Sequence, residues 1–217
     1  MEPVNPPERP ADAQELARAL AVEAGAGERV IVAIAGEPGA GKSTLVANLA
    51  ASLALLGVEA AILPMDGYHL SNAVLEALGR RGRKGAIDTF DADGYVSLLR
   101  RVRAGGPRTI FAPSFDHGAG EPLAGSIPIE PGAAVVLTEG NYLLDPSEPW
   151  SDVRGLVDHA WFVRTDDAVR RERLVARHVA AGKEPDFAAY WAAEVDEPNA
   201  ERIRAAAGRA ELVLRVP

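Results

Sequence analysis

Residues 29 to 57, RVIVAIAGEPGAGKSTLVANLAASLALLG, decide the fold. Arg29 to Ala35 is a short apolar run rich in β-branched residues and predicts a buried strand. Lys42 to Leu56 carries apolar residues at 45, 49, 53 and 56 and predicts a helix stopped by Gly57. Between them GEPGAGKS, residues 36 to 43, fits the spacing G-x-x-x-x-G-K-[ST] in the strand, loop, helix context that the motif requires. In a chain with 21 Gly and only three lysines the pattern would arise by chance about 0.002 times. The glycines let successive backbone N–H groups converge on phosphates at a helix N-terminus, whose dipole adds positive potential. Lys42 then reaches the β and γ phosphates, and the Ser43 hydroxyl can ligate Mg²⁺. ATP or GTP with Mg²⁺ is the ligand implied, held by Gly36, Glu37, Pro38, Gly39, Ala40, Gly41, Lys42, Ser43 and Thr44.

Outward from this unit the same alternation continues. Asp12 to Glu15 is a capping-box pattern opening a helix that runs to about Glu23. Further strands are predicted at Val58 to Leu63, Thr109 to Phe115, Ala133 to Thr138, Asp158 to Arg164 and Glu211 to Val216, and helices at Asp93 to Ala104, Asp166 to Ala181 and Asp186 to Val195. Strands separated by helices argue for a parallel sheet covered on both faces. The expected fold class is therefore α/β, a P-loop NTPase three-layer α/β/α sandwich with a mostly parallel sheet and a helical lid. A length of 217 residues suits one domain, with residues 1 to 10 as a flexible Pro-rich tail and about 166 to 200 as an Arg-rich helix and lid. Gly79 to Asp88 and Pro113 to Pro131 lack periodicity and read as functional loops or hairpins on one rim.

Composition removes several function classes. The 23 Lys plus Arg against 31 Asp plus Glu leave a net charge of −8, and basic runs are short, so nucleic-acid binding by bulk charge is not expected. The absence of cysteine excludes disulfides and thiolate-ligated metals. MEPVNPPERP does not read as a signal peptide and no stretch reads as a membrane span, so a cytoplasmic protein is expected.

The phosphate loop alone does not identify the reaction. A guanine-specifying N-K-x-D is absent, since no Asn precedes a Lys. Two acids follow buried strands, Asp66 after AAILPM and Glu139 after AVVLT, where strand C-termini face the ligand crevice of a doubly wound sheet. Either acid alone would read equally well as a helix cap or a solvated loop residue. Together they suit phosphoryl transfer to an alcohol, with Asp66 as base and Glu139 on the metal. Arg170, Arg173 and Arg177 share one helix face, where like charges repel unless an anion lies opposite. That anion is either the neighbouring Asp166, Asp167 and Glu172 or the transferring phosphoryl group beneath a lid.

GEPGAGKS, PMDGYHLSN, KGAIDTFDADGYVSLLRRVRAG, FAPSFDHGAGEP and VVLTEGNYLL, in that order, resemble the P-loop kinase family of uridine kinase, pantothenate kinase and phosphoribulokinase. Within it the chain is most similar to a bacterial nucleoside/nucleotide kinase-like branch with a fructose-transport-associated member, whose tail motif VDEPNAERI resembles too. The resemblance implies an ATP-dependent kinase acting on a hydroxyl of a small metabolite, a sugar or polyol ahead of a nucleoside. A pantothenate-type kinase or a non-kinase regulatory NTPase are the alternatives, and a homodimer is allowed. It implies Asp66 as catalytic base and metal neighbour, Ser43 and Glu139 as further metal residues, and Lys42, Arg173 and Arg177 as catalytic cations. It places Tyr68, His69, Asp88, Asp91, Phe115, His117 and Asn141 on the acceptor side, with a uridine-kinase spacing around Asp88 and Asp91 that does not align cleanly.

Overall fold

The computed structural model describes residues 5–217. In chain order its strands and helices are β1 (Glu8–Pro10), α1 (Ala13–Ala24), β2 (Val30–Gly36), α2 (Lys42–Leu55), β3 (Ala60–Pro64), α3 (Asn72–Ala77), α4 (Ala92–Ala104), β4 (Ile110–Asp116), β5 (Glu121–Ile129), β6 (Val135–Gly140), β7 (His159–Arg164), α5 (Asp167–Ala180), α6 (Pro185–Trp191), α7 (Glu197–Ala205) and β8 (Leu212–Arg215). Six strands form one parallel sheet in the order β1-β8-β7-β2-β6-β3.

Period-two alternation on β2 explains the layering. Val30, Val32 and Ile34 pack with Leu16 and Leu20 of α1 and Leu45, Leu49 and Leu53 of α2. Ile31, Ala33 and Ala35 face the other way, towards Tyr95, Leu99 and Val102 of α4 and Ile203 of α7. A strand apolar on both faces must lie inside the sandwich, as the uninterrupted run RVIVAIA predicts.

Register brings one rim together. Ile34 lies opposite Glu139, Pro64 opposite Glu139, and Gly36 opposite Val163, so the C-terminal ends of β2, β3, β6 and β7 finish level. The residues that follow β2 and β3 and those that close β6 share this edge.

Two expectations change. Residues 1 to 10 do not all form a flexible tail: residues 1 to 4 lie outside the described part, but Glu8, Arg9 and Pro10 pair with Val213, Leu214 and Arg215 as an edge strand. Pro10 is tolerated there because an edge strand needs ladder bonds on one side only. Ala11 N–H donates to Arg215 O (2.8 Å), and Arg164 pairs with Glu8 at 3.0 Å. The strand predicted at Thr109 to Phe115 exists as β4, but it leaves the parallel sheet and pairs antiparallel with β5, with an irregularity between Ala112 and Ser114. Pro113 lacks the N–H that a regular ladder would use there.

Candidate active site

The loop after β2 turns tightly beneath α5. Gly39 adopts φ +79°, and a Cβ there would lie 2.8 Å from the Arg170 carbonyl oxygen and 3.0 Å from Leu174. Only glycine fits both the backbone angle and the helix resting on it. Lys42, at the first turn of α2, folds back over the loop: its Nζ donates to Gly36 O (2.9 Å), Glu37 O (3.0 Å) and Asn141 Oδ1 (2.8 Å). Burial lowers its pKa, against the opposing charges of Glu139 and Asp66. Ser43 Oγ donates to Glu139 Oε1 at 2.9 Å, and burial raises the Glu139 pKa, with Lys42 pulling it down and Asp66 adding to the rise. Lys42, Ser43, Asp66 and Glu139 therefore form one electrostatic group on the rim.

The D-G and E-G pairs have a steric reason. Asp66 lies in a 3-10 turn, Met65–Tyr68, directly after β3. A Cβ on Gly67 would meet Pro113 O at 2.3 Å, and one on Gly140 would meet Met65 Cβ at 2.4 Å. The two glycines let the turn wedge between the β4–β5 hairpin and the end of β6. That wedge holds the turn carrying Asp66 against the end of β6, and the Asp66 charge acts on Glu139.

The acceptor-side residues divide. His69 Nδ1 donates to Asp66 O at 2.8 Å, and its ring lies 4.0 Å from Phe90 and 4.7 Å from Phe115, with His117 a further 5.2 Å from Phe115. Burial lowers the His69 pKa, so it is neutral at pH 7. Tyr68 packs edge-on against Tyr95 at 5.3 Å, within the core. The Asp91 carboxylate caps α4 through Gly94 N–H (2.9 Å), and Asp88 accepts a bidentate pair from Arg83 (2.6 and 2.5 Å) with Arg80 at 3.5 Å. Asn141 is bonded to the loop lysine. Lys84 is drawn inward, donating to Asn72 Oδ1 (2.8 Å) and Gly120 O (2.7 Å), 5.2 Å from the Phe115 ring centre.

Arg170 on the arginine face of α5 meets anions both from its own helix and from outside it. Arg170 is fully buried and bonded to Glu197 at 2.6 Å, with Glu37 and Asp167 beside it. Arg173 and Arg177 are exposed; Arg173 Nη2 donates to Pro217 O (2.7 Å), and its Nη1 lies 3.8 Å from the position of a Cβ on Gly41. Arg177 is close enough to Lys42 and Glu139 to lower both pKa values. Sequence reading missed Glu197, Arg204 and the inward turn of Glu37. The motif VDEPNAERI was the available signal, since it supplies Glu197 and Arg202, the latter bonded to buried Asp145 at 2.7 Å.

The donor set fits magnesium. A hydroxyl and carboxylates on one rim suit a hard cation that keeps waters and nucleotide phosphates as its other ligands, whereas a closed protein cage is absent among the described residues.

The model of the methylmalonyl Co-A mutase-associated GTPase MeaB matches residues 3–87, the part that holds the phosphate loop and Asp66. The ATP-dependent kinase-like protein notR' of Aspergillus versicolor is 45% identical over 58% of this chain and 77% of its own length. The "Putative uridine kinase C227.14" of Schizosaccharomyces pombe is 42% identical over 71% of this chain and 68% of its own. The crystal structure of a "putative fructose transport system kinase" from Silicibacter sp. TM1040 superposes with a TM-score of 0.84 at 34% identity, covering 94% of this chain and 98% of that one.

Proposed function

This chain belongs to the P-loop kinase family that includes uridine kinase and pantothenate kinase, and within that ATP-dependent family we propose that it phosphorylates a hydroxyl of a small, neutral, hydroxyl-rich metabolite, a sugar or polyol ahead of a nucleoside. One observation carries the reading: Asp66, held by Gly67 in its wedge, shares a rim with Lys42, Ser43 and Glu139. The loop N–H groups and Lys42 cradle the ATP phosphates, and Asp66 accepts the proton of the attacking hydroxyl. Ser43 and Glu139, with Asp66 nearby, would hold Mg²⁺, which when bound neutralises charge on the β and γ phosphates. Arg177, and Arg173 beside Gly41, meet the charge that develops on transfer. His69, Phe115 and His117 supply a stacking wall for the acceptor, in which burial favours neutral His69, and this suits hydroxyls and ring faces better than an anion.

A second reading, an acceptor that carries a carboxylate, is favoured by Lys84, which the basic loop delivers over the ring of Phe115. A panel of hexoses, pentoses, polyols, uridine, cytidine and pantothenate, assayed for acceptor-dependent ADP release, separates the two. Asp66→Asn is expected to lose transfer by at least ~10²-fold while keeping ATP affinity. Near-normal kcat in that variant would remove the base assignment, and preference for pantothenate would select the second reading.

A further inference from the structure

A phosphate-binding loop is an unfavourable place for an acid, yet Glu37 stands at its second position. Its side chain is turned away from the loop and is 2% exposed. Arg204 Nη2 on α7 donates to Glu37 Oε1 at 2.5 Å, and the fully buried Arg170 of α5 approaches the same oxygen at 3.7 Å. Both arginines also reach Glu197 and Asp167, and Arg171 reaches Glu197, so three cations and three anions from the loop, α5 and α7 share one cluster. The main chain of Glu37 does something different: its carbonyl accepts from Ala40 N–H (3.1 Å), closing the loop, and from Lys42 Nζ (3.0 Å). One residue thus has its side chain anchored in the helices of the lid region and its carbonyl bonded to the lysine that reaches for phosphate.

We propose that Glu37 is a positioning residue that acts through Lys42, coupling the seating of α5 and α7 to the conformation of the phosphate loop, with Arg204 as its partner. Removing Arg204 leaves buried Glu37 with only the longer contact to Arg170 at 3.7 Å, and removing the Glu37 charge leaves Arg204 to Asp167 and Glu197, so either change reseats the cluster. The strain falls on the Glu37 peptide and so on two of the loop's own bonds. Among the described residues the hydrogen bonds of Arg204 go to the side chains of Glu37, Asp167 and Glu197, and Glu37 is its direct link to the loop.

The inference rests on residues 36–44 being the ATP loop, which Lys42→Ala tests by itself. Glu37→Gln, Arg204→Met and the double variant are compared by calorimetric titration with ATP in Mg²⁺ buffer, by ADP release at saturating ATP, and by thermal melting. Each single change is expected to weaken ATP about tenfold, the size of couplings inside one charge network, and the double to be no weaker than the worse single. Turnover at saturating ATP falls in the same order while the acceptor KM stays unchanged. ATP affinity equal to the parent in both single variants, or losses that simply add, would overturn the proposal. So would a fall in melting temperature with binding intact. If Glu37→Gln does not fold, Arg204→Met decides, because that side chain is 36% exposed and its loss opens no cavity. Loss of ATP binding in Lys42→Ala with a normal Arg204→Met would reject the coupling alone, whereas normal binding in Lys42→Ala would reject the loop assignment.

Discussion

Gly67→Ala isolates the geometry of the Asp66 turn without touching a charged group. The added methyl would stand 2.3 Å from Pro113 O and 2.7 Å from Pro113 C, both main-chain atoms that cannot rotate away. Ordinary contact begins near 3.4 Å, so the turn and the hairpin must part by about 1 Å. Forcing a methyl into a packed site costs about 1–3 kcal/mol. For a chain of this length that lowers Tm by roughly 2–4 °C per kcal/mol. A 1 Å displacement of a reacting group costs up to ~10²-fold in rate. The expected result is a kcat lowered by about one to two orders of magnitude with ATP affinity retained, because Lys42 and the phosphate loop are carried by β2 and α2 and not by the hairpin. Acceptor-dependent ADP release, calorimetric ATP titration and thermal melting give the three quantities. Gly155→Ala, where nothing lies within 4 Å of the new methyl, serves as the control and should match the parent. A Gly67→Ala enzyme with parental kcat would show that the wedge does not set the position of Asp66.

Three further outcomes are expected. The Glu139 carboxyl is raised by burial, so activity that needs it ionised should fall on acidification at a pH above the ordinary carboxylate range; in Glu139→Gln that limb disappears and more Mg²⁺ is required, as a pH profile at graded Mg²⁺ would read out. Burial pushes Glu197 up, but hydrogen bonds from Arg171 and Arg170 outweigh it and hold its pKa at about 2, below its ordinary 4.5. Its stabilising contribution is therefore complete above 4.5 and lost as pH falls towards 2, so the Tm gap between the parent and Glu197→Gln should narrow across that window in pH-dependent melts. Arg177→Ala should lower kcat more than it raises the ATP KM in steady-state kinetics, since Arg177 meets charge that develops on transfer; the reverse split would make it a ground-state phosphate clamp.

Some of this protein is decided by neighbours in sequence. The run RVIVAIA, the glycine spacing and the apolar positions of α2 define strand, loop and helix within 29 residues, because each depends on local propensity and periodicity. The acids Asp66 and Glu139 were legible for a related reason: a buried strand in a doubly wound sheet ends at the crevice, so the residue beyond it has a predictable place. What each side chain touches was not legible. Asp91 and Asp88 read as acceptor-side carboxylates, with no sign in the sequence that a helix N-terminus bonds the first and two arginines the second. Asn141 read as an acceptor contact, but lies against Lys42, 99 positions away. Glu8 to Pro10 read as tail because its pairing partner is the final strand, more than two hundred residues on. Glu37 and Arg204, 167 positions apart, meet only when α7 packs back beneath the loop. Residue type and spacing determine which elements form and which chemical groups stand at their ends, whereas the partner of a charge depends on which distant elements the folded chain brings within hydrogen-bond reach, and no local pattern records that distance.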